Sequence, residues 1–336
     1  MNLILEERGL YLGLKSERLQ VRREGKVVSE HALRDLETVV LTSTAISLSC
    51  EAVRGCAKFG VQIDFLDGLG DAYAKMTSPY LVGTVTTRRA QMLAYLGDKA
   101  VTFAKAQIRA RLLNQTNLLR YFGKYRKEAD PVAYAAIETA LPRLAALEAE
   151  LERYTSPTID EARDWLLGLE GRGGVAYWGA VASLLPPDLG FEGRLGRGAV
   201  DPVNTCLNYG YGVLYSQTAG ALSTAGLEPF AGFLHTDRPG KPSLVLDFVE
   251  GFRAAAVDRV IFATLGRGWR PEQGAAGKLE PKSRKTLAKR VLERLDARET
   301  WKGKRFRLKN ILVGQARNLA TFLRDEGDYV PFVMGW

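Results

Sequence analysis

The sequence predicts an α+β protein, with a small β-rich N-terminal domain over residues 1–78 and a larger all-α domain over residues 79–336. In the first part, apolar and polar residues alternate, which is the period of a strand that buries one face. From residue 82 onward, apolar residues recur every three or four positions, as they do in amphipathic helices. The 336 residues are enough to give two domains a hydrophobic core each.

Alternating runs and turn residues define the elements of the N-terminal domain. The pair Glu24-Gly25 separates two such runs and predicts a tight turn between strands. The stretch Ser49–Phe59 predicts one short helix, because Gly60 follows it as a C-cap. We expect strands at Leu10–Leu14, Leu19–Val21, Thr38–Leu48 and Val61–Leu66, with Ser78-Pro79 closing the unit.

Prolines and glycines are expected to divide the helical part. Leu93 and Leu96 belong to the apolar face of the first predicted helix. Pro142 is expected to kink or divide a long Ala/Leu-rich helix, and the glycines after Glu170 are expected to interrupt another. The predicted helices cover Ala90–Leu113, Asn114–Tyr125, Val132–Tyr154, Ile159–Glu170 with a continuation to Leu185, Val203–Ala225, and segments within Ser243–Thr264, Ser283–Arg298 and Leu308–Asp325.

Positive charge is concentrated in two blocks of the helical part. The chain has 47 Lys and Arg against 38 Asp and Glu, a net charge of +9. Lys99–Lys127 holds eight basic residues and no acidic one, and Lys278–Lys309 holds thirteen basic and four acidic residues. Such blocks favour a protein that binds the phosphate backbone of a nucleic acid. The alternative is a pair of solvated helix faces whose counter-charges come from elsewhere in the fold.

Side chains in these blocks are expected to contact phosphates, which positions DNA without reading its sequence. The residues expected to do so are Lys105, Arg109, Arg120, Lys124, Lys282, Lys285, Lys289 and Arg290. The sequence has no Walker A motif and no GxGxxG motif after a strand, so nucleotide-driven motors and dehydrogenases have no support.

Other features of the chain exclude a membrane or secreted protein. No apolar run approaches the length needed to cross a bilayer, and an anionic membrane surface is a weaker interpretation of the basic blocks. The opening residues lack the basic region and the long apolar core of a signal peptide, so we expect a cytoplasmic protein. Three cysteines without a CxxC pair argue against a disulfide framework and a cysteine-rich zinc site.

One histidine and three carboxylates in apolar surroundings are the candidates for catalysis. His235 lies in a loop before Pro239-Gly240, and Glu170 and Asp247 lie within apolar runs. A buried carboxylate needs a cation or several hydrogen-bond donors. Asp247 and Glu250 are spaced i, i+3, which on a helix puts both on one face, where they can share a divalent ion.

This mixed set of carboxylate and imidazole ligands suits Mn²⁺ or Mg²⁺ and suits zinc less. Together with the basic blocks, it predicts metal-assisted phosphodiester chemistry on DNA. The alternative is a set of internal ion pairs, in which Asp247 pairs with Arg253 or Arg259, and Glu170 with Arg172 or Arg163.

The order of these residues is similar to that of the CRISPR-associated spacer-acquisition integrases, the first family of Cas proteins. The ordered set is Glu170, then Asn208-Tyr209-Gly210-Tyr211, His235 and Asp247-x-x-Glu250-x-Phe252-Arg253. The resemblance extends over essentially the whole chain and includes Leu36–Leu41, Gly60–Asp67, Ser78-Pro79 and Asn114-Gln115. One departure is Gly251, which stands where the family pattern has proline.

The resemblance implies a β-rich domain that helps to form a homodimer and a helical domain that holds the metal. Glu170, His235 and Asp247 then match the ligands of Mg²⁺ or Mn²⁺, and Glu250 matches an acidic position that assists in catalysis. The implied enzyme joins the 3′-hydroxyl ends of short double-stranded DNA to CRISPR repeat boundaries by transesterification, and cleaves DNA when water replaces the hydroxyl. The implied partners are double-stranded DNA, a second copy of the chain and a small second Cas adaptation protein.

Three other functions remain as alternatives. A related transposon-type integrase would use the same chemistry. A catalytically silent DNA-binding scaffold would have its carboxylates paired internally and would bind DNA without metal. A metal-dependent RNA-processing enzyme is the third alternative.

Overall fold

The computed structural model describes residues 2–67, 70, 72–76, 84–196, 198–274 and 277–335. Strands dominate the first part of the chain and helices dominate the rest, so the predicted α+β class is confirmed. Ser78-Pro79 lies outside the described residues, and the domain boundary between residues 78 and 79 stays a prediction. No helix in the described part of the chain is both long and apolar enough to cross a membrane.

The N-terminal part contains two four-stranded sheets and one helix. One sheet has the strand order β1-β5-β7-β8 and the other the order β4-β3-β2-β6. These strands are β1 (Asn2–Leu5), β2 (Leu10–Lys15), β3 (Arg18–Arg23), β4 (Lys26–Ala32), β5 (Thr38–Leu41), β6 (Ser47–Leu48), β7 (Gln62–Leu66) and β8 (Ala72–Met76). The predicted short helix is α1 (Cys50–Lys58), and the side chain of Ser49 caps its N-terminus.

Strand β5 joins the two hydrophobic cores of the molecule. Val39 and Leu41 pack into the core between the N-terminal sheets and α1. Val40 points to the opposite side and belongs to the core of the helical part. A strand buried on both faces explains why the run Thr-Val-Val-Leu shows no polar alternation.

The helical part follows in chain order. Its first helices are α2 (Thr84–Ala94), α3 (Asp98–Gly123), α4 (Arg126–Ala129), α5 (Pro131–Arg153) and α6 (Ile159–Leu184). The later ones are α7 (Pro202–Thr224), α8 (Ser243–Val249), a π-helical turn (Ala254–Asp258), α9 (Arg259–Gly266), α10 (Pro281–Asp296) and α11 (Leu308–Leu323).

The predicted first helix, Ala90–Leu113, is wrong in its bounds. The chain turns after Ala94, and α3 then continues without a break through the segment predicted as a separate helix. Because the turn reorients the chain, Leu93 and Leu96 do not join the buried stripe, and they are 69% and 76% exposed.

Helices α5 and α6 are not divided, either at Pro142 or at the glycines after Glu170. Pro142 lies inside α5, which continues to Arg153. Both Pro142 and Glu138, whose carbonyl loses its helical donor, are exposed, so water can hydrogen-bond that carbonyl. The glycines after Glu170 lie inside the 26-residue helix α6.

A two-stranded hairpin lies between α10 and α11, where the sequence predicts only helix and loop. It consists of β9 (Arg298–Trp301) and β10 (Lys304–Arg307), paired antiparallel. Arg298, predicted as the last residue of a helix, is the first residue of β9.

Asn114 on α3 ties the segment after α8 to the C-terminal residues. Its side chain donates to the carbonyl oxygens of Gly251 at 2.7 Å and Phe332 at 3.0 Å, and it accepts the N–H of Met334 at 2.7 Å. Gly251 is therefore held firmly, although glycine replaces the proline of the family pattern. A Cβ at this position would lie 3.0 Å from Oε1 of Gln107.

Candidate active site

Arg111 brings two of the candidate carboxylates together. Glu170 lies in the middle of α6, and Glu250 follows directly after α8. Nη1 of Arg111, on α3, donates a hydrogen bond to Oε1 of Glu170 and another, of 2.7 Å, to Oε2 of Glu250. One nitrogen atom therefore contacts both carboxylates, which places them within reach of a single cation.

Close packing of α6 on α3 positions Glu170. Gly173, one turn further along α6, lies so near α3 that a Cβ would come within 2.6 Å of Cδ2 of Leu112. Leu112 follows Arg111 in the chain. The missing side chain of Gly173 thus lets the two helices approach at the level of the ion pair between Glu170 and Arg111.

Glu250 is buried and ionised. Only 1% of its side chain is exposed, and its Oε1 lies 2.9 Å from Nη1 of Arg253. Burial alone raises the pKa of Glu250, but the charges of Arg253 and Arg111 outweigh burial and hold the pKa below its ordinary value. Arg253 also donates to the hydroxyl of Tyr215 at 2.7 Å and lies over the ring of Tyr211, 5.0 Å from its centroid.

Asp247 holds the loop that carries His235. Its carboxylate accepts the backbone N–H groups of Phe233 at 2.6 Å, Leu234 at 3.0 Å and His235 at 2.9 Å. Nδ1 of His235 lies 2.6 Å from Oδ1 of Asp247. These four contacts occupy the lone-pair positions of the carboxylate, and they leave Nε2 as the ring nitrogen available to a cation or a proton.

A second buried carboxylate, Asp258, has neutral partners. It ends the π-helical turn and accepts hydrogen bonds from the hydroxyls of Tyr177 at 2.9 Å and Tyr211 at 2.5 Å. Burial raises the pKa of Asp258 above its ordinary value, and the hydrogen bonds from the two tyrosines offset only part of that effect.

Glu250 and Asp258 both line a cavity of about 50 Å³. Arg194, in the loop before α7, lies over the ring of Tyr211 at 5.3 Å and donates to Oδ1 of Asn204 at 3.0 Å. Oε1 of Gln115 is buried and has no hydrogen-bond partner among the described residues. The cavity is lined by Arg111, Gln115, Trp178, Arg194, Tyr211, Glu250, Arg253, Ala254 and Asp258. An unpaired polar atom beside three arginines suits an anionic ligand with its bound water or cation.

Within the described residues, no three His, Cys, Asp or Glu side chains lie close enough together to form a complete metal cage. The guanidinium of Arg111 lies between Glu170 and Glu250 instead. The chemistry of the donor set still fits a hard divalent cation, because both carboxylates contact one cationic nitrogen. His235 is close enough that its charge also lowers the pKa of Glu250, although burial, Arg253 and Arg111 have larger effects.

Other ion pairs replace the ones that sequence spacing suggests. Arg172 pairs with Glu150, and Arg163 pairs with Asp160, so neither is the partner of Glu170. Arg253 pairs with Glu250, and Arg259 pairs with Glu299, so neither of these is the partner of Asp247.

Arg111 and Arg194 are site residues that sequence reasoning misses. Arg111 lies in the basic block Lys99–Lys127, where nothing in the sequence distinguishes it from its neighbour Arg109. The structure separates them, because the side chain of Arg111 is 12% exposed and that of Arg109 is 47% exposed. Arg194 lies in a glycine-rich loop, where its approach to Tyr211 depends on the tertiary fold.

The first group of predicted phosphate-binding residues has mixed surroundings. Nζ of Lys105 donates to the carbonyl oxygen of Tyr154 after α5, and Nε of Arg109 lies 2.9 Å from Glu148. These two residues thus help to hold α5 against α3. Arg120 and Lys124 are exposed near the end of α3. Contact of these residues with nucleic acid stays a prediction.

The second group lies on and near the exposed side of α10. Lys282 forms an ion pair of 2.8 Å with Glu272, and Lys289 lies 3.8 Å from Glu293. Arg290 lies over the ring of Trp269, and Lys285 is exposed. Surface pairs of this kind contribute little stability and can open to a phosphate.

The family description "CRISPR associated protein Cas1" matches residues 3–293 of the chain. The "CRISPR-associated endonuclease Cas1 1" of Archaeoglobus fulgidus is 35% identical over 347 residues, which cover 100% of both chains. That of Francisella tularensis subsp. novicida is 31% identical over 335 residues, covering 100% of this chain and 99% of the relative. The chain belongs to the Cas1 family of CRISPR-associated proteins.

Solved structures share the fold. One is titled "Casposase bound to integration product", with a TM-score of 0.81, 22% identity, and coverage of 98% of this chain and 92% of that one. Another is titled "Cas6-RT-Cas1--Cas2 complex", with a TM-score of 0.76, 21% identity, and coverage of 99% of this chain and 36% of that one.

Proposed function

We propose that this protein is a divalent-metal-dependent DNA integrase and endonuclease of CRISPR adaptation. In this proposal it joins the 3′-hydroxyl ends of short duplex DNA to repeat boundaries by transesterification. The observation that carries the proposal is the meeting of Glu170 and Glu250 on one nitrogen of Arg111. Membership of the Cas1 family supports it.

Glu170, Glu250 and Nε2 of His235 are the groups that would hold Mg²⁺ or Mn²⁺ in this proposal. The prediction that Asp247 is itself a ligand has less support, because four hydrogen bonds already occupy its oxygens. We assign to Asp247 the orientation of His235 through Nδ1, as carboxylates commonly do behind a metal-bound histidine. When bound, the ion polarises a phosphoryl oxygen and stabilises the charge that develops in the transition state.

The arginines of the site have a role of their own in this proposal. Arg111, Arg194 and Arg253 line one cavity, and the guanidinium of Arg111 would be free to turn toward it if Glu170 and Glu250 held a metal ion instead. Guanidinium groups bind phosphate oxygens through paired hydrogen bonds. Together they would hold the phosphodiester that is attacked.

The proposed partners are double-stranded DNA, a second copy of the chain and the small second Cas adaptation protein. The titles of similar structures name an integration product and a complex with Cas2, and these titles support the first and third partners. We also propose a cytoplasmic location without a membrane partner.

A transposon-type integrase is the second candidate, because the casposase shares the fold over 98% of this chain. It would use the same residues for the same chemistry. The two candidates differ in the target, so joining must be compared between a plasmid with a repeat array and one without it.

The test is strand transfer of a short duplex with free 3′-hydroxyls into a supercoiled plasmid that bears a repeat array. It is run with Mn²⁺, Mg²⁺ or chelator, with and without the small partner protein. We expect joining that requires metal and is lost in His235→Ala. The matched control is Asp164→Asn, which changes an exposed carboxylate of α6 and should join like the wild type. Joining in chelator, or by His235→Ala at the wild-type rate, would refute the proposed chemistry.

Binding of DNA without joining in every condition would favour the silent scaffold. In that case the ion pairs of Arg111 with Glu170 and Glu250 would be structural only.

A further inference from the structure

The hairpin of β9 and β10 is a separate basic element beside the helical core. It begins at Arg298, whereas the match to the family description ends at residue 293. The two strands project between α10 and α11, and β10 is exposed along its whole length. None of the residues assigned above to the site lies on it.

One face of the hairpin is anchored to the helices. The ring of Trp301 packs on α11, where a Cβ at Gly314 would come within 2.7 Å of it. Glu299 lies on the same face of β9 as Trp301. It forms ion pairs with Arg259 and Arg294. The hairpin therefore has a fixed orientation on the protein.

The turn of the hairpin presents a lysine at the tip. Lys302 and Gly303 have φ values of 50° and 73°, as a two-residue type I′ turn requires. Such turns prefer asparagine, aspartate or glycine at the first position, because other residues are strained in the left-handed region. A lysine adopts this conformation here, and its side chain is exposed, with Nζ 4.9 Å from the centroid of the Trp301 ring.

The opposite, outer face is a row of cations. In the register of the strands, Arg298 lies opposite Arg307, and Arg305 lies opposite Thr300. Residues that lie opposite each other share a face, and all four are exposed. Arg307 lies 3.8 Å from Asp296, whereas Arg298 and Arg305 contact no acidic group in the described part of the chain.

Like charges opposite each other destabilise a hairpin, and a two-stranded sheet has little stability to spare. A polyanion that lies along this face removes the repulsion between Arg298 and Arg307. The charge pattern is therefore complementary to a phosphate backbone.

We propose that this outer face, formed by Arg298, Arg305 and Arg307, binds the backbone of double-stranded DNA. The inference rests on the proposed function only in taking DNA as the substrate. Arginine guanidinium groups pair with phosphate oxygens in a fixed geometry. A two-stranded ribbon fits the major groove of B-DNA, which is about 12 Å wide, whereas the major groove of duplex RNA is too narrow to admit one.

The experiment measures binding of a short DNA duplex to the full chain over a range of salt concentrations, with chelator present. The variant Arg298→Gln/Arg305→Gln removes two charges from the outer face. We expect the slope of log K against log salt to become less steep by about 2, because each phosphate contact contributes about 0.9. Arg305→Lys keeps the charge and should keep the slope of the wild type.

The matched control is Lys15→Gln/Lys26→Gln, which removes two exposed charges from β2 and β4. Its turn, Glu24-Gly25, has the same positive φ values as the turn of the basic hairpin. This control should leave the slope unchanged, since the net charge alone does not bind the backbone.

A wild-type slope for Arg298→Gln/Arg305→Gln would overturn the proposal. If that variant instead loses binding to the small partner protein, the face belongs to a protein interface and the DNA assignment is wrong. An equal loss of binding to an RNA duplex would overturn the assignment to DNA. Because chelator prevents strand transfer, none of these outcomes depends on the proposed chemistry, and loss of joining in His235→Ala leaves the hairpin untouched.

Discussion

Glu250 and Asp258 are two buried carboxylates on one stretch of chain, and their surroundings give them opposite properties. Glu250 is 2% exposed and Asp258 is 1% exposed. Arginines surround Glu250 and keep its pKa low, whereas burial among tyrosine hydroxyls raises the pKa of Asp258. A carboxylate that meets cations keeps its charge and can exchange one cation for another. A carboxylate that meets hydroxyl groups is satisfied as part of the core.

Exchange of the two acids for amides gives the largest contrast between the two regions. Loss of a residue that only orients a metal ligand typically lowers activity by about 10–100-fold. Glu250→Gln removes a proposed ligand itself, so the rate of strand transfer should fall by at least about 100-fold. Asp258→Asn should stay within about tenfold, or about 1.4 kcal/mol of barrier. The measurement is the initial rate of joining with Mn²⁺. Similar rates of joining for the two variants would show that Glu250 and Asp258 do not differ in function.

Asp247→Asn tests whether Asp247 acts through His235. An amide cannot accept all the hydrogen bonds that Asp247 makes, so the histidine loses its fixed orientation. We expect the metal concentration for half-maximal joining to rise by about 10–100-fold. The control is Asp164→Asn, an exposed carboxylate of α6, with an unchanged metal requirement. A loss of joining that no metal concentration restores would favour direct ligation by Asp247.

The approach of Glu170 to Arg111 can be disturbed without a change of charge. Gly173→Ala places a methyl group against Leu112 and should cost about 1–3 kcal/mol of stability through overpacking. Gly171→Ala, in the same helix, has nothing within 4 Å of the new Cβ and should stabilise the protein by about 0.5–1 kcal/mol. Denaturant unfolding of both variants checks the pair. Equal changes in unfolding free energy for the two variants would mean that the close packing of α6 on α3 does not contribute to stability.

The smallest expected effect is a pH dependence of stability from Asp258. Its pKa in the folded protein lies above the ordinary value of 3.8, so the folded state favours the protonated form. Stability is therefore lost as the pH rises from 3.8 through the folded pKa. Relative to Asp258→Asn, the wild type should lose unfolding free energy over this range. A constant difference between the two proteins at all pH values would show that the pKa is not raised.

Local patterns predict the elements of this fold best where the ends of a helix are marked. Ser49–Phe59 and Val203–Ala225 match α1 and α7 within one residue at each end, and the side chains of Ser49 and Asp201 cap the two N-termini. The glycines of α6 are misleading in the sequence, since none of them ends the helix, and Gly173 lets α3 approach closely. The sequence does not predict the hairpin of β9 and β10, because its strands are mostly polar and charged.

The candidate site is predictable in its acidic residues and not in its basic ones. The sequence indicates the acidic residues of the site, because burial of a carboxylate in an apolar run costs free energy. These residues are Glu170, Asp247 and Glu250. Their partners come from distant parts of the chain. The contact between Arg111 and Glu250 joins residues 139 positions apart, and no spacing rule reaches that far.

The clamp that Asn114 forms with Gly251, Phe332 and Met334 has a consequence for the order of synthesis. The segment that carries Glu250 leaves the ribosome well before residues 332–334, which complete its support. A nascent chain therefore contains Glu170 and Glu250 before it contains Phe332 and Met334, which complete the contacts of Asn114. The support of the segment that carries Glu250 is therefore complete only after residue 334 has been synthesised.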